Sequence, residues 1–546
     1  MTKDTPTRSP STLSDRTAAL RELPKKGSGG RRIVPLPSRG IELPTTVERA
    51  AIAVKAWEDS RGRILFRKGP EYVGLTRGED RPKLERLSVG AFQTLLQERA
   101  EFLEYRWIQN RWIPNLIHNL SKNWCETILE SPVFRKSIPQ VENLVFCPVI
   151  TKTGAVISDG FVPELGSLVV STIKSLPDIP VESAVRDIRD ILADFNPVSD
   201  GDLSRLIAFL ISPAIRLGGI LRNGPIDCFE ADKSATGKGT CIELRAAIYN
   251  DSVTIVTQRR GGAGSVDESI GTAFLAGHAF ISLDNFRGRL DTSFLEAAVT
   301  EGEVQARSPY SREIPVKACR FMISLASNGV EFTTDFSNRT NITRLRKQPT
   351  GYVFRRSKSD LIAYARERSP HFIACIFSVV KHWIAAGKPT ANNGWDGHFR
   401  EWWQVMDWIL PKVFGLPAPS LGQIDAADRV SSPAKMFLRS VVLEIARSGP
   451  VSTEGYPASA LARIALEANP PIELCGRSVQ DYDEESLARQ IGAVFKTMFE
   501  NGPVTVDEFT VTRIQSVESR EGTGSGPQSK IRYHIARNSC LNASSA

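Results

Sequence analysis

The chain has 546 residues, 41% hydrophobic and 24% charged, with a formal net charge of +8. That length exceeds one ordinary core, so two to four domains of a globular protein are expected. No apolar run reaches the roughly 18 residues that span a bilayer, and the polar start lacks a hydrophobic signal region, so a cytoplasmic setting with no membrane partner is expected.

The eight cysteines are scattered without a C-x-x-C pair and the six histidines are dispersed. Neither a disulfide frame nor a structural metal site is expected from them.

Residues 1–45 read as a disordered basic leader. Residues 1–40 hold nine Lys/Arg against three acids, so that stretch carries +6 of the total +8 and the rest only +2. The high overall charge therefore says little about the body of the chain.

Residues 46–200 read as an N-terminal α+β domain. Helical periodicity covers 47–57 and 87–103. Strands at 63–67 and 71–75 would form a hairpin around Gly69 and Pro70, and a strand pair is expected over 107–112. Short strands follow at 144–150 and 155–157, with a turn at Asp159 and Gly160. Nothing here pairs carboxylates at catalytic spacing. Helices at 185–195 and 202–217 lead into a core spanning 201–365.

In that core a short strand, 227–230, precedes Asp232-Lys233-Ser234-Ala235-Thr236-Gly237-Lys238-Gly239-Thr240. This is the composition of a phosphate-cradling loop: backbone N–H groups wrap anionic oxygens, a helix N-terminus faces them, and a lysine meets the β- and γ-phosphates. The predicted helix is 239–249. Two positions depart from the usual pattern. Asp232 stands where a glycine is usual, and Gly239 follows the lysine where Ser or Thr normally meets Mg²⁺, leaving Thr240, one step later, for that task.

After a helix at 267–275 comes an apolar strand, 278–284, ended by Asp284 and followed by Asn285. A carboxylate at the carboxyl end of a buried parallel strand lies where open α/β sheets bind ligands, and Asp284 would hold Mg²⁺ there. A third apolar strand, 319–328, ends in Asn328, whose amide suits orienting an attacking water. Arg339 then offers a cation for charge developing on a neighbouring subunit's nucleotide.

Residues 366–430 read as a helical lid or linker whose tryptophans (383, 395, 402, 403, 408) are packing core rather than a base-stacking platform. Residues 431–537 show helices at 432–448, 458–467 and 484–499, then strands at 509–517 and 530–535, the order of a winged helix; 538–546 is a disordered tail. A winged helix places its third helix in the major groove and its wing on the backbone. Arg489 and Lys496 on that helix, with Arg513, Lys530 and Arg532 on the wing, are candidate DNA contacts.

The ordered set Gly237-Lys238-Gly239, 277–288, 295–300, 307–311, 326–329 and 337–339 resembles the AAA+-type helicase module of phage, plasmid and mobile-element replication proteins. These include the self-loading helicases of bacterial cassette elements and superfamily 3 and minichromosome-maintenance relatives. The resemblance covers roughly residues 180–365 and implies a P-loop ATPase core binding ATP and Mg²⁺ between subunits of a hexameric ring. It gives Lys238 the Walker A role, Asp284 the Walker B role, Asn328 the sensor role and Arg339 that of an arginine finger. Asn285 stands where many relatives carry the catalytic glutamate, so the general base falls to Glu268 or Glu301 on spacing.

The resemblance also implies a channel hairpin over 300–317, making Arg307, Arg312 and Lys317 candidate contacts to single-stranded DNA. A second basic cluster, 336–359, holds seven Lys/Arg and no side-chain acid after Asp335. The expected function is an ATP-dependent DNA translocase of a mobile element, prophage or plasmid. The alternatives are a nucleotide-sensing DNA-binding regulator with a slow, degenerate loop, and an initiator that marks an origin.

Overall fold

The computed structural model describes the chain outside residues 1–30, 39–40, 63, 78–80, 110, 232–235, 258–264, 291, 308–312, 393–394, 396, 432, 470, 475–476, 501, 507–508, 519–527 and 538–546.

The leader ends sooner than expected. Arg32–Pro35 is a strand that pairs in parallel with Ala100–Ile108, and a helix already begins at Leu43. The apolar run Ile33-Val34-Pro35-Leu36 is buried, which ties this stretch down despite its basic surroundings. The expected helix over 87–103 stops at Arg99, because Ala100 enters the sheet between Arg32–Pro35 and Arg111–Ile117. The hairpins over 65–77 and 100–117 form, the second turning at Gln109 with φ of 49°. Asp159 and Gly160 are not a turn: they open a strand, Asp159–Val162, paired antiparallel with Ser167–Val170.

The centre of the molecule alternates helices and parallel strands. It contains α1 (Val181–Ile191), α2 (Asp200–Leu217), β1 (Ile226–Glu230), α3 (Lys238–Ile248), β2 (Thr254–Thr257), α4 (Val266–Ala276), β3 (Phe280–Leu290) and α5 (Ser293–Thr300). A small antiparallel hairpin, β4 (Val304–Ala306) and β5 (Ile314–Val316), precedes β6 (Met322–Phe332) and β7 (Thr340–Arg344). The five long-range strands form one parallel sheet in the order β2–β3–β6–β1–β7. Covered on both faces, such strands read as near-continuous apolar runs, as in Phe280–Leu283 and Met322–Ala326.

One apolar cluster joins buried residues of 145–192, α2, α3 and the helical region through 416, including Trp383, Trp402 and Trp403. The largest helix contact of the lid is α6 (Ser369–Ala385) against α1. A separate core holds 437–535 together: helices Pro433–Ser448, Ala458–Glu467 and α7 (Glu484–Met498), with a three-stranded antiparallel sheet ending in β8 (Phe509–Glu518) and β9 (Gln528–Arg537).

Candidate nucleotide site

The sheet order creates the crevice. The chain leaves β1 through α3 for β2 at one edge, whereas it leaves β6 to cross β1 and form β7 at the other. Connections that diverge in this way open a gap beyond the carboxyl ends of β1 and β6, the place where open parallel sheets bind ligands. β1 ends at this gap with Glu230, and α3 begins beyond it at Lys238.

The register aligns Thr257, Asp284, Ala326, Phe229 and Thr343 in one row across the five strands. Asp284 is therefore level with the last turns of pleat in β1 and on the same edge as the loop. Its strand lies two positions from β1, about 10 Å by ordinary strand spacing. Asp284 does not end its strand, contrary to expectation. β3 and β6 continue together to Leu290 and Phe332, with register shifts between Asp284 and Phe286 and between Phe286 and Gly288. Asp284 marks instead the end of the five-stranded part, where β2 and β1 stop. Asn285 and Asn328 lie in this two-stranded extension at its register shifts, where neither has a partner in the ladder, and their side chains are outside the described set.

Of the loop itself, Asp232, Lys233, Ser234 and Ala235 lie outside the described residues. Thr236, Gly237 and Lys238 do not. Gly237 takes φ of +91° and precedes α3 as a cap with no side-chain oxygen on the helix N–H groups. A Cβ at this position would meet the Phe195 ring at 3.2 Å, so both backbone angle and space demand glycine. Thr236 and Lys238 are each 8% exposed. The Thr236 hydroxyl has no hydrogen-bond partner among the described residues. An orphaned buried hydroxyl, an uncapped helix start and a buried lysine together fit an anionic phosphate group. Gly239 is exposed, and Thr240 is half-buried in the first turn of α3.

The candidate bases separate. Glu268 lies in the first turn of α4, on the carboxyl edge, where Ser265 accepts from its N–H in the spacing of a capping box. Glu301 ends α5 at the opposite edge. The next residue, Gly302, sits beside Asn223 and Cys319, which precede β1 and β6. That placement removes Glu301 from this chain's crevice. Asp267, which sequence reasoning missed, is next to Glu268; one of its carboxylate oxygens is buried without a partner among the described residues, and burial lifts its pKa above the usual carboxylate range. A pattern of charge alone does not separate it from an ordinary helix-start acid.

Arg339 lies at the amino edge, where its carbonyl accepts from Ile226 N–H. It is 9% exposed. Its Nε donates to Thr300 Oγ1 at 2.6 Å, and Nη1 donates to the Asp335 carbonyl and pairs with its carboxylate.

Three of the seven cations of the basic cluster at 336–359 are matched by acids from elsewhere. Arg344 pairs with Glu473 and Arg355 with Asp190, Lys358 pairs with Glu243 at 2.8 Å, and Arg356 lies over the Tyr364 ring at 3.8 Å. These pairs interrupt the cluster, while Arg346 and Lys347 remain exposed.

The hairpin expected over 300–317 exists as β4 and β5. Arg307 is exposed where β4 ends, and Arg312 falls outside the described residues. Lys317 is drawn toward the N-terminal region by Glu142 at 3.4 Å. In the C-terminal unit, Arg489 and Lys496 are exposed on α7 opposite buried Leu487, Ile491 and Phe495. Arg513 is half-buried, and its side chain bonds Tyr533 across the strand pair. Lys530 is exposed, and Arg532 is tied to Glu454.

Among the described residues, no helix is long and apolar enough to cross a membrane. No family model matches the chain, and no curated protein matches it. Among solved structures, the A form of the apo NrS-1 C-terminal region is 11% identical, with 89% of this chain and 99% of that one covered and a TM-score of 0.36. An active helicase, Cch of SCCmec type IV, is 12% identical, with 81% of each chain covered and a TM-score of 0.31. Likeness at these TM-scores establishes neither a shared fold nor a shared activity.

Proposed function

We propose that this chain is an ATP-dependent DNA translocase, the helicase of a mobile element, prophage or plasmid, acting as a homo-hexamer. One observation carries the reading: Lys238, at the start of an uncapped helix, and Asp284 lie on the same carboxyl edge of a parallel sheet, beside the point where its connections diverge.

In this reading Lys238 contacts the β- and γ-phosphates, the α3 N–H groups and the Thr236 hydroxyl hold phosphate oxygens, and Asp284 and Thr240 face Mg²⁺. Bound Mg²⁺ would neutralise charge on the phosphate oxygens. Asp267 or Glu268, at the start of α4 on this edge, takes the proton from water, and the burial that raises the Asp267 pKa favours that role. Arg307 at the β4–β5 hairpin is the contact for single-stranded DNA, and α7 is the contact for duplex.

Gly239 in place of a hydroxyl residue and Arg339 held within its own chain favour a second reading, a DNA-binding regulator that senses nucleotide and turns it over slowly. Phosphate release with and without single-stranded DNA separates the two. The translocase requires DNA-stimulated release that Lys238→Ala abolishes. Equal release by wild type and Lys238→Ala would remove the ATPase reading altogether.

A further inference from the structure

Outside the nucleotide crevice, three side chains of metal-ligand type meet between α1 and α6. His371 and Cys375 are four apart on α6 and so project from one face of that helix. Asp187 comes from α1. The ligand atoms of the three lie within 4.8 Å of one another. His371 Nε2 is 2.9 Å from Asp187 Oδ2 and 3.7 Å from Cys375 Sγ.

The geometry distinguishes among three uses of such a set. In a nucleophilic triad the thiol and the carboxylate engage opposite nitrogens of the imidazole, so that one orients the ring while the other reacts. Here both approach the same nitrogen, and the thiol is fully buried. A plain Asp–His ion pair accounts for the oxygen beside Nε2 but makes no use of the sulfur beside the same nitrogen. N, O and S ligand atoms gathered within 4.8 Å of one another are what a metal site needs. With metal–nitrogen bonds of about 2.0–2.1 Å and metal–sulfur bonds of about 2.3 Å, a tetrahedral site has an N···S edge of about 3.6 Å and an N···O edge of about 3.3 Å. The observed N···S distance matches, and the carboxylate has to move outward by a few tenths of an ångström.

We propose that Asp187, His371 and Cys375 form a binding site for a divalent transition metal of the zinc type, with solvent as the fourth ligand. The mixed nitrogen, sulfur and oxygen set suits zinc or cobalt rather than magnesium or calcium. Asp187 is 30% and His371 26% exposed, which leaves an entry path and room for water, whereas Cys375 closes the inner side. The site is separate from the proposed ATP chemistry and staples the lid to the helix before the core. The same lid helix begins at Ser369, whose hydroxyl donates to the carbonyl of Ile248, the last residue of α3. Bound metal would therefore brace the helix that carries Lys238.

The test is a cobalt(II) titration of the full-length, metal-free, reduced protein. The expected result is one equivalent bound, with a near-ultraviolet thiolate-to-cobalt charge-transfer band and d–d bands of tetrahedral intensity, all bleached by one equivalent of zinc. Cys375→Ser should lose the charge-transfer band. His371→Gln and Asp187→Asn, the half-exposed positions where the fold is least at risk, should each weaken cobalt binding by at least about a hundredfold, beyond what loss of a supporting group does. Absence of the band in the wild type overturns the site. So does a band that persists in Cys375→Ser, or cobalt affinity unchanged in both His371→Gln and Asp187→Asn.

Discussion

Arg245, on the helix that Lys238 opens, meets Asp227, in the strand that feeds the loop, with Nη1 to Oδ2 at 2.6 Å and both side chains almost wholly buried. Arg245 Nη2 also donates to Ser324 on β6 at 2.5 Å, and its guanidinium lies 3.9 Å from the Phe209 ring centre. Asn341 on β7 donates to the other Asp227 oxygen at 3.0 Å. One cation and one anion thus clamp α3 to three adjacent strands. Burial pushes the carboxyl up and the guanidinium down, and their mutual attraction opposes both shifts.

Removing one partner of this pair strands the other charge in the core. Arg245→Met should cost about 3–5 kcal/mol, whereas Arg245→Met combined with Asp227→Asn should recover much of it, because no unpaired charge remains. Urea midpoints of wild type, both single variants and the double variant check this. A double variant no more stable than Arg245→Met would show that Asp227 is not the penalised group.

A second buried cation joins the N-terminal region to the core. Lys68 Nζ donates to the carbonyls of Phe274 and Leu275, at 2.8 and 2.7 Å, at the end of α4. Burial draws its pKa from 10.5 down to about 7, with Glu142 offsetting this only in part. A neutral amine retains two N–H groups, enough for both bonds. Because the folded pKa is depressed, the unfolded chain holds more protons between pH 7 and 10.5. Stability contributed at this site therefore rises with pH through that window, and the penalty of a buried charge is fully present below it. Melting temperatures from pH 6 to 10 should rise for wild type relative to Lys68→Met. Parallel curves would contradict a depressed pKa.

On α7, Arg489 and Lys496 are seven residues apart on one exposed face. If that face meets duplex DNA, Arg489→Ala and Lys496→Ala should each flatten the dependence of log affinity on log salt by about 0.9. Arg532 serves as the internal comparison. Its Nη1 donates to the Glu454 carbonyl at 3.1 Å and pairs with the Glu454 carboxylate at 3.5 Å. Arg532→Ala should leave the slope unchanged, and fluorescence anisotropy at several salt concentrations reads all three. A larger change from Arg532→Ala than from the α7 pair would move the contact onto the wing.

Much of the helix and strand succession was readable because buried parallel strands are uninterrupted apolar runs and their helices start at serines such as Ser199 and Ser265. Strand order was not readable, since β2, β3 and β6 become neighbours only through packing over the helices between them. The extension of β3 and β6 beyond Asp284 was missed for a related reason. Its residues, Asn285-Phe286-Arg287-Gly288-Arg289, carry no alternation, and backbone pairing needs none. Charge counting failed most clearly at 336–359. The acids that neutralise Arg344, Arg355 and Lys358 are Glu473, Asp190 and Glu243, each more than a hundred residues away. The His371–Cys375 spacing of four was legible but drew no notice, because their partner Asp187 is 184 residues from the histidine.

The two glycines flanking Lys238 should respond in opposite directions. Gly237 has φ of +91° and the Phe195 ring against its missing Cβ. Gly237→Ala combines a left-handed backbone cost of about 1–2 kcal/mol with a clash, so ATP affinity should fall at least tenfold. Phe195→Ala should not restore it, because the backbone cost remains. Gly239 is different: it is in the first turn of α3, with nothing within 4 Å of its missing Cβ. Gly239→Ala relieves a helix of glycine, which favours α3 by up to about 1 kcal/mol. Gly239→Ser adds, in the same space, a hydroxyl at the position after the lysine where phosphate loops usually hold Mg²⁺. If α3 opens on a nucleotide, Gly239→Ser should raise Mg²⁺-dependent phosphate release above both wild type and Gly239→Ala. Equal rates for the serine and alanine variants would mean that residue 239 does not face the metal and that Thr240 fills that place.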